Sequence, residues 1–152
     1  MKKKISKELI LNACLQKQEE LVKNYDSRVM EMRTDTTNDD DDLSASQSED
    51  HNAGDVEILG TMESGLEFAQ REMVSLAAID PAHENEIVEP GAVVITNVRT
   101  FFIAVSSERV EMEDEVIYGI STNAPIYAVM AGLKKGETFK FNGTEYKIED
   151  IY

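Results

Sequence analysis

Two stretches of this chain carry apolar side chains at alternating steps of three and four, and an acidic stretch separates them. In the first, Leu11, Leu15, Gln18, Val22, Tyr25, Val29 and Met32 follow one another at steps of 4, 3, 4, 3, 4 and 3. Such spacing places one stripe along one face of a helix, the seam of a coiled coil, with Gln18 as a polar interruption. Ser6 is a capping residue, and Ile5 can staple onto Ile10, so the helix is expected over residues 5–33. No Gly or Pro lies between Lys7 and Arg33, and the rod would be about 40 Å long. In the second stretch Leu59, Met62, Leu66, Ala69, Met73 and Leu76 recur at 3, 4, 3, 4 and 3. This second helix is expected over 55–79, with a start anywhere from Ser48 to Asp55 and a stop at Asp80-Pro81. Gly60 and Gly65 fall inside it. Each costs about 1 kcal/mol relative to Ala, and the sequence offers no reason for either.

Neither seam can stay in water alone. Folding back into an antiparallel helical hairpin buries both, and the matched lengths and periods favour it over an intermolecular coiled coil. Residues 34–54 would then form the tip. That stretch contains no Lys or Arg, while Asp35, Asp39, Asp40, Asp41, Asp42, Glu49 and Asp50 are all acidic. Leu43 is isolated, no apolar period survives, and the expectation is a loop.

From Glu89 the pattern changes. Residues 91–95, 101–105 and 115–120 are rich in β-branched and aromatic side chains and read as strands. Residues 125–130 read as a short helix with Pro125 in its first turn and Gly132 just past its end. Residues 137–141 and 145–151 read as two strands joined by Asn142-Gly143, a type I′ hairpin signal. Asn142-Gly143-Thr144 also matches a glycosylation sequon, but the turn is the better reading in a chain expected in the cytoplasm. The fold class is therefore α+β: a helical hairpin over residues 1–80 and a small, mostly antiparallel sheet domain with one helix over 81–152.

Composition narrows the function. Thirty acidic against fifteen basic side chains, a net charge of −15, do not suit a protein whose main surface grips a nucleic-acid backbone. No direct sequence-specific binding to nucleic acid is expected. No window approaches the apolar length of a membrane span. The N-terminal lysines are followed by polar residues rather than by the apolar core of a signal peptide. One cysteine, Cys14, cannot form an internal disulfide, which points to a reducing, cytoplasmic compartment. A monomer is expected.

No phosphate-binding glycine loop, dinucleotide fingerprint, paired-cysteine zinc site or nucleophile elbow is present. His51 and His83 read as solvated loop residues, and Cys14 as a small packed thiol. No active site of the chain's own is visible. The run Asp39–Asp42 remains. Read blandly, it is a solvated acidic loop. A calcium loop does not fit: counting from Asp39, the fifth position is Leu43 and the glycine position is Ser44. Mg²⁺ needs only one or two protein carboxylates and takes its other ligands from water and phosphate, so clustered aspartates could lend ligands to another protein's site.

The C-terminal part resembles the bacterial Gre transcript-cleavage factors. The residues concerned are Gly91 to Val94, Glu115 to Ile120, Ser121-Thr122-Asn123-Ala124-Pro125-Ile126, Ala131-Gly132-Leu133-Lys134-Lys135-Gly136-Glu137, and Tyr146 to Ile151. They are similar to that family's opening strand, its strand running into a Ser-Pro-Ile helix start, its Gly-Lys turn and its last strand. A coiled-coil hairpin ahead of a small sheet domain is also that family's arrangement. The resemblance implies an FKBP-like C-terminal domain that docks on RNA polymerase around Asn123, Ala124, Pro125 and Ile126. It further implies a hairpin inserted into the polymerase's secondary channel, where Asp39, Asp40, Asp41 and Asp42 would assist the catalytic Mg²⁺, with no cofactor bound tightly by the chain itself. In such two-metal chemistry the added carboxylates steady an ion that activates water.

The chain departs from the family twice. The family's short Asp-Leu-x-Glu-Asn tip is missing, with Asp42-Leu43 its only echo, and the family's Asp-Ser-Pro is here Asn123-Ala124-Pro125. Three functions follow as expectations: a Gre-like elongation factor that stimulates cleavage or blocks the channel, an acidic adaptor for an unrelated partner, and a prolyl isomerase. The last is disfavoured by the lack of Trp and the few aromatics available to line a pocket.

Overall fold

The structure, a computed structural model, describes the backbone of residues 4–39, 45–105 and 109–152, with side chains described for these except 35–39 and 45–56. Helices α1 (Lys7–Asp39) and α2 (Ala45–Ala77) span 33 residues each. Both reach into the stretch read from sequence as a loop, and α2 starts earlier than the Ser48–Asp55 range. The reason is cooperative. A helix already nucleated gains a hydrogen bond for each residue it adds, and neither extension contains a Pro. Near the end of α1 the Thr34 hydroxyl donates back to the Met30 carbonyl at 2.8 Å.

The chain divides into two compact units, Gln18–Met73 and the combination of Met1–Lys17 with Val74–Tyr152. This division does not follow a cut at residue 80, because the first turns of α1 belong with the sheet.

In the Gln18–Met73 unit the two helices touch at three levels. The Gln18 side chain donates to the Ala69 carbonyl at 2.9 Å. The Tyr25 ring lies against Gly65. Arg33 pairs with Glu63 at 2.9 Å. As the position on α1 rises, that on α2 falls, so the helices run antiparallel. Every seam position from Gln18 to Met32 and from Leu59 to Met73 is buried or half-buried, whereas Leu21, Met30, Ile58 and Phe68, off the seam, are exposed. Gln18, read as an interruption, is buried and satisfied.

The other unit is built on a six-stranded sheet. Its strands are β1 (Val93–Thr96), β2 (Thr100–Ala104), β3 (Val110–Met112), β4 (Glu115–Ser121), β5 (Thr138–Phe141) and β6 (Thr144–Ile151), in the order β3-β4-β2-β1-β6-β5. All neighbours are antiparallel except β2 and β4, which are parallel. Strand β3 was not expected from sequence. It is three residues long, too short to show a period, and it turns into β4 through Glu113 and Asp114, both at positive φ. The expected Asn142-Gly143 turn joins β5 to β6, also with both residues at positive φ.

Strands β1 and β2 are buried nearly throughout, because both faces of the sheet are covered. Alternate residues enter opposite cores. Val93, Ile95 and Phe102 pack with Ile5, Ile10, Leu11 and Cys14 of the α1 end and with Leu76 of α2. Val94, Phe101 and Ile103 pack with Ile148, Tyr146 and Met130 of the short helix α3 (Pro125–Met130). Phe139 and Tyr146 stack with ring centres 4.8 Å apart. Leu11 and Leu76, read as seam residues, thus serve the sheet's core.

Candidate functional site

Helix α3 begins where β4 ends. The Ser121 carbonyl accepts from the Ala124 N–H at 3.0 Å, and the Ser121 hydroxyl accepts from the Asn123 N–H at 3.3 Å. This turn leaves Ala124 extended (φ −68°, ψ 139°) as the cap, with no side-chain cap bond, and Pro125 in the first turn. Proline suits that place because its missing N–H has no helical partner there. The far end is tied down too. Gly132 takes φ 77°, its N–H donates to the Val88 carbonyl at 2.8 Å, and the Val88 N–H donates to the Leu133 carbonyl at 2.9 Å.

The four residues expected to dock, Asn123, Ala124, Pro125 and Ile126, thus lie at one helix start. Asn123 and Pro125 are exposed and Ala124 is half-buried, while Ile126 packs against the second core. Packed against the same core as Ile126, Tyr118, Ile120, Tyr127, Leu133 and Phe141 are half-buried, and Val129 is 43% exposed. The Arg99 guanidinium sits over the Tyr118 ring, 4.7 Å from its centre, an attraction of cation for aromatic face. The surface combines an apolar apron with a few polar groups, which suits protein contact better than small-molecule chemistry.

The other expected site falls outside this description. Asp39 closes α1, but its side chain, and Asp40, Asp41 and Asp42 entirely, lie outside the described residues. Among the described residues no three His, Cys, Asp or Glu side chains come together in a way that could hold a metal. Cys14 is buried in the first core, and the His83 backbone carbonyl accepts from Lys7. No helix among the described residues is long and apolar enough to cross a membrane.

One polar cluster escaped the sequence reading. Lys7, 5% exposed, donates to the His83 carbonyl at 2.7 Å and to Asn85 Oδ1 at 2.6 Å, and Asn85 Nδ2 donates to Glu89 at 2.6 Å. Burial pulls the Lys7 ammonium below its ordinary pKa, opposed by Asp80, Glu84 and Glu89. Nearby, the Tyr152 hydroxyl donates to the Ile5 carbonyl, and Lys4 lies 4.6 Å from the Tyr152 ring centre. Burial pushes the Tyr152 phenol up to about 12. A groove of about 400 Å³ opens beside these groups, lined by Lys4, Lys7, His83, Glu84 and Tyr152 among others. Its charges are mixed, and Lys7 and Tyr152 spend their polar atoms on the protein itself, so these two residues tie the α1 end to the sheet. Nothing in the spacing of Lys7, Asn85 and Tyr152 could have announced it.

Among solved structures, the chain is similar to the GreA factor homolog 1 (Gfh1) of Thermus thermophilus. The match covers 91% of this chain and 94% of that one at 13% identity, with a TM-score of 0.34, a weak likeness. No protein-family model and no curated protein matches the chain.

Proposed function

We propose that this protein is a Gre-like accessory factor of bacterial RNA polymerase. It docks through the sheet domain and uses a coiled-coil hairpin, closed over Asp39–Asp42, to act at the catalytic Mg²⁺ of the polymerase. The observation that carries this reading is the helix start at Asn123–Ile126. The residues with the family resemblance coincide there with a hydrogen-bonded, partly apolar turn that leaves Asn123 and Pro125 exposed. The sheet domain is read as FKBP-like, with binding rather than isomerase activity. The antiparallel contacts at Gln18, Tyr25 and Arg33 support the hairpin. An α-helix of 33 residues is about 50 Å long, a length suited to reaching into a channel. Acidic side chains are repelled by RNA and attracted to a divalent ion. The missing family tip motif favours channel occupation without cleavage as the second form of the same activity.

The test is comigration of the purified protein with bacterial RNA polymerase core enzyme, followed by RNA-cleavage and elongation assays on stalled complexes. Comigration and a changed cleavage or elongation rate are expected. Replacing Asp39, Asp40, Asp41 and Asp42 together by Asn should leave comigration intact and abolish the effect on stalled complexes. Faster cleavage would identify stimulation, and slower elongation would identify blocking. A protein that fails to comigrate is an adaptor for some other partner, and the proposal fails.

A further inference from the structure

The two glycines inside α2 have opposite surroundings. A side chain at Gly65 would meet the Tyr25 ring, with a Cβ only 2.9 Å from Tyr25 Cε1, so close packing accounts for that glycine. A Cβ at Gly60 would meet nothing within 4 Å, and the position is exposed. Gly60 has a helical neighbourhood, open space and no positive φ, so nothing in the packing asks for glycine. What glycine does there is loosen the helix, since it is among the poorest helix formers.

The residues around Gly60 work in the same direction. The Thr61 hydroxyl donates to the Glu57 carbonyl at 3.1 Å, and the Ser64 hydroxyl donates to the Gly60 carbonyl at 3.0 Å. A hydroxyl that bonds back to the carbonyl four residues earlier weakens the helical bond there and favours a bend. Gly/Ser pairs are among the recognised places where helices kink, and Ser64-Gly65 is such a pair. Facing α1 carries one such back-bond among the described residues, Thr34 to Met30, but no Gly or Pro along its whole length. We propose that Glu57–Gly65 is a built-in hinge: α2 opens and bends at Gly60 while α1 acts as an unbroken strut. The seam residues Leu59, Met62 and Leu66 stay on the partner side, so the pair yields without separating. The inference is independent of any polymerase partner.

Hydrogen exchange of the full chain tests it. In Gly60→Ala, the amides of residues 58–66 should exchange about fivefold more slowly, the factor by which Ala outweighs Gly in a helix. The amides of 18–32 on α1 should not change. Thr61→Ala together with Ser64→Ala should slow the same segment by a smaller factor. Spin labels at the exposed positions 57 and 70 should give a narrower distance distribution in Gly60→Ala than in the parent. Unchanged exchange over 58–66 would overturn the hinge. So would slowing spread equally over both helices, which would mean the pair opens as one body, and so would a distribution of unchanged width.

Discussion

The same three-and-four spacing runs through both units of the chain, yet it meets two different burial regimes. At its ends the spacing feeds a sheet: Leu11 is 5% exposed, Leu76 and Ile10 are fully buried, and Phe102 and Val93 close over them. Among the described seam residues of the Gln18–Met73 unit, Gln18, Val29 and Ala69 are buried and the others are half-buried. Two helices surround only a few of their facing side chains, whereas a helix on a sheet buries most of them. The lesson is that seam periodicity specifies direction but not depth. Depth decides how much each residue contributes, because the stabilisation scales with the apolar area removed from water.

That contrast is open to measurement. The largest effect is expected in the sheet unit. Phe102→Ala should cost about 3–5 kcal/mol and Ile10→Ala about 2–5 kcal/mol, by the usual cavity penalty for fully buried side chains. Leu66→Ala, at a half-buried seam position, should cost about 1–2 kcal/mol by the smaller area it loses. Denaturant melts of the three variants check the order, and an equal loss at all three would erase the distinction between the units.

Next comes Tyr152, which closes the first core onto the α1 end. Its phenol ionises at 10.0 in the unfolded chain and at about 12 in the folded one, chiefly because burial disfavours the anion. The folded state therefore holds the proton longer. The stabilisation is complete below pH 10 and is lost as the pH rises toward 12, a change of about 1–3 kcal/mol. Tyr152→Phe should lower stability at pH 8 by about 1 kcal/mol, through the lost bond to the Ile5 carbonyl. It should also flatten the fall between pH 10 and 12. A parent and variant that fall in parallel over that range would remove Tyr152 from the alkaline transition.

Inside the helix pair the expected effects are smaller. Gly65→Ala should stabilise by about 1 kcal/mol in a Tyr25→Ala background, the ordinary helix gain, and by less in the parent, where the ring stands in the way. Equal effects in the two backgrounds would mean that the ring and Gly65 do not meet. Smallest of all is the Arg33–Glu63 pair. Both side chains are more than a third exposed, so a double-mutant cycle should return about 0.5 kcal/mol or less, shrinking with salt.

The short helix α3 was legible in the residues. Proline at a first turn and glycine past the last are local signals, and α3 forms where they stand. The apron around it was not legible. Tyr118, Leu133 and Phe141 are far apart in sequence, and only the sheet order brings them to one core. The Lys7–Asn85–Glu89 cluster was invisible for the same reason, as its key bond joins residues 78 positions apart.

By itself the sequence determined that two long helices form, five of the six strands and the Asn142-Gly143 turn. Each of these rests on a period or on a φ preference written into neighbouring residues. Only the tertiary structure decided that α1 splits its service between a helix partner and a sheet. It also decided that β2 and β4 lie parallel, and that Gln18 is satisfied rather than disruptive. Those outcomes depend on which groups meet across long stretches of chain. A buried amide or ammonium is tolerable only when its acceptor arrives from elsewhere in the fold.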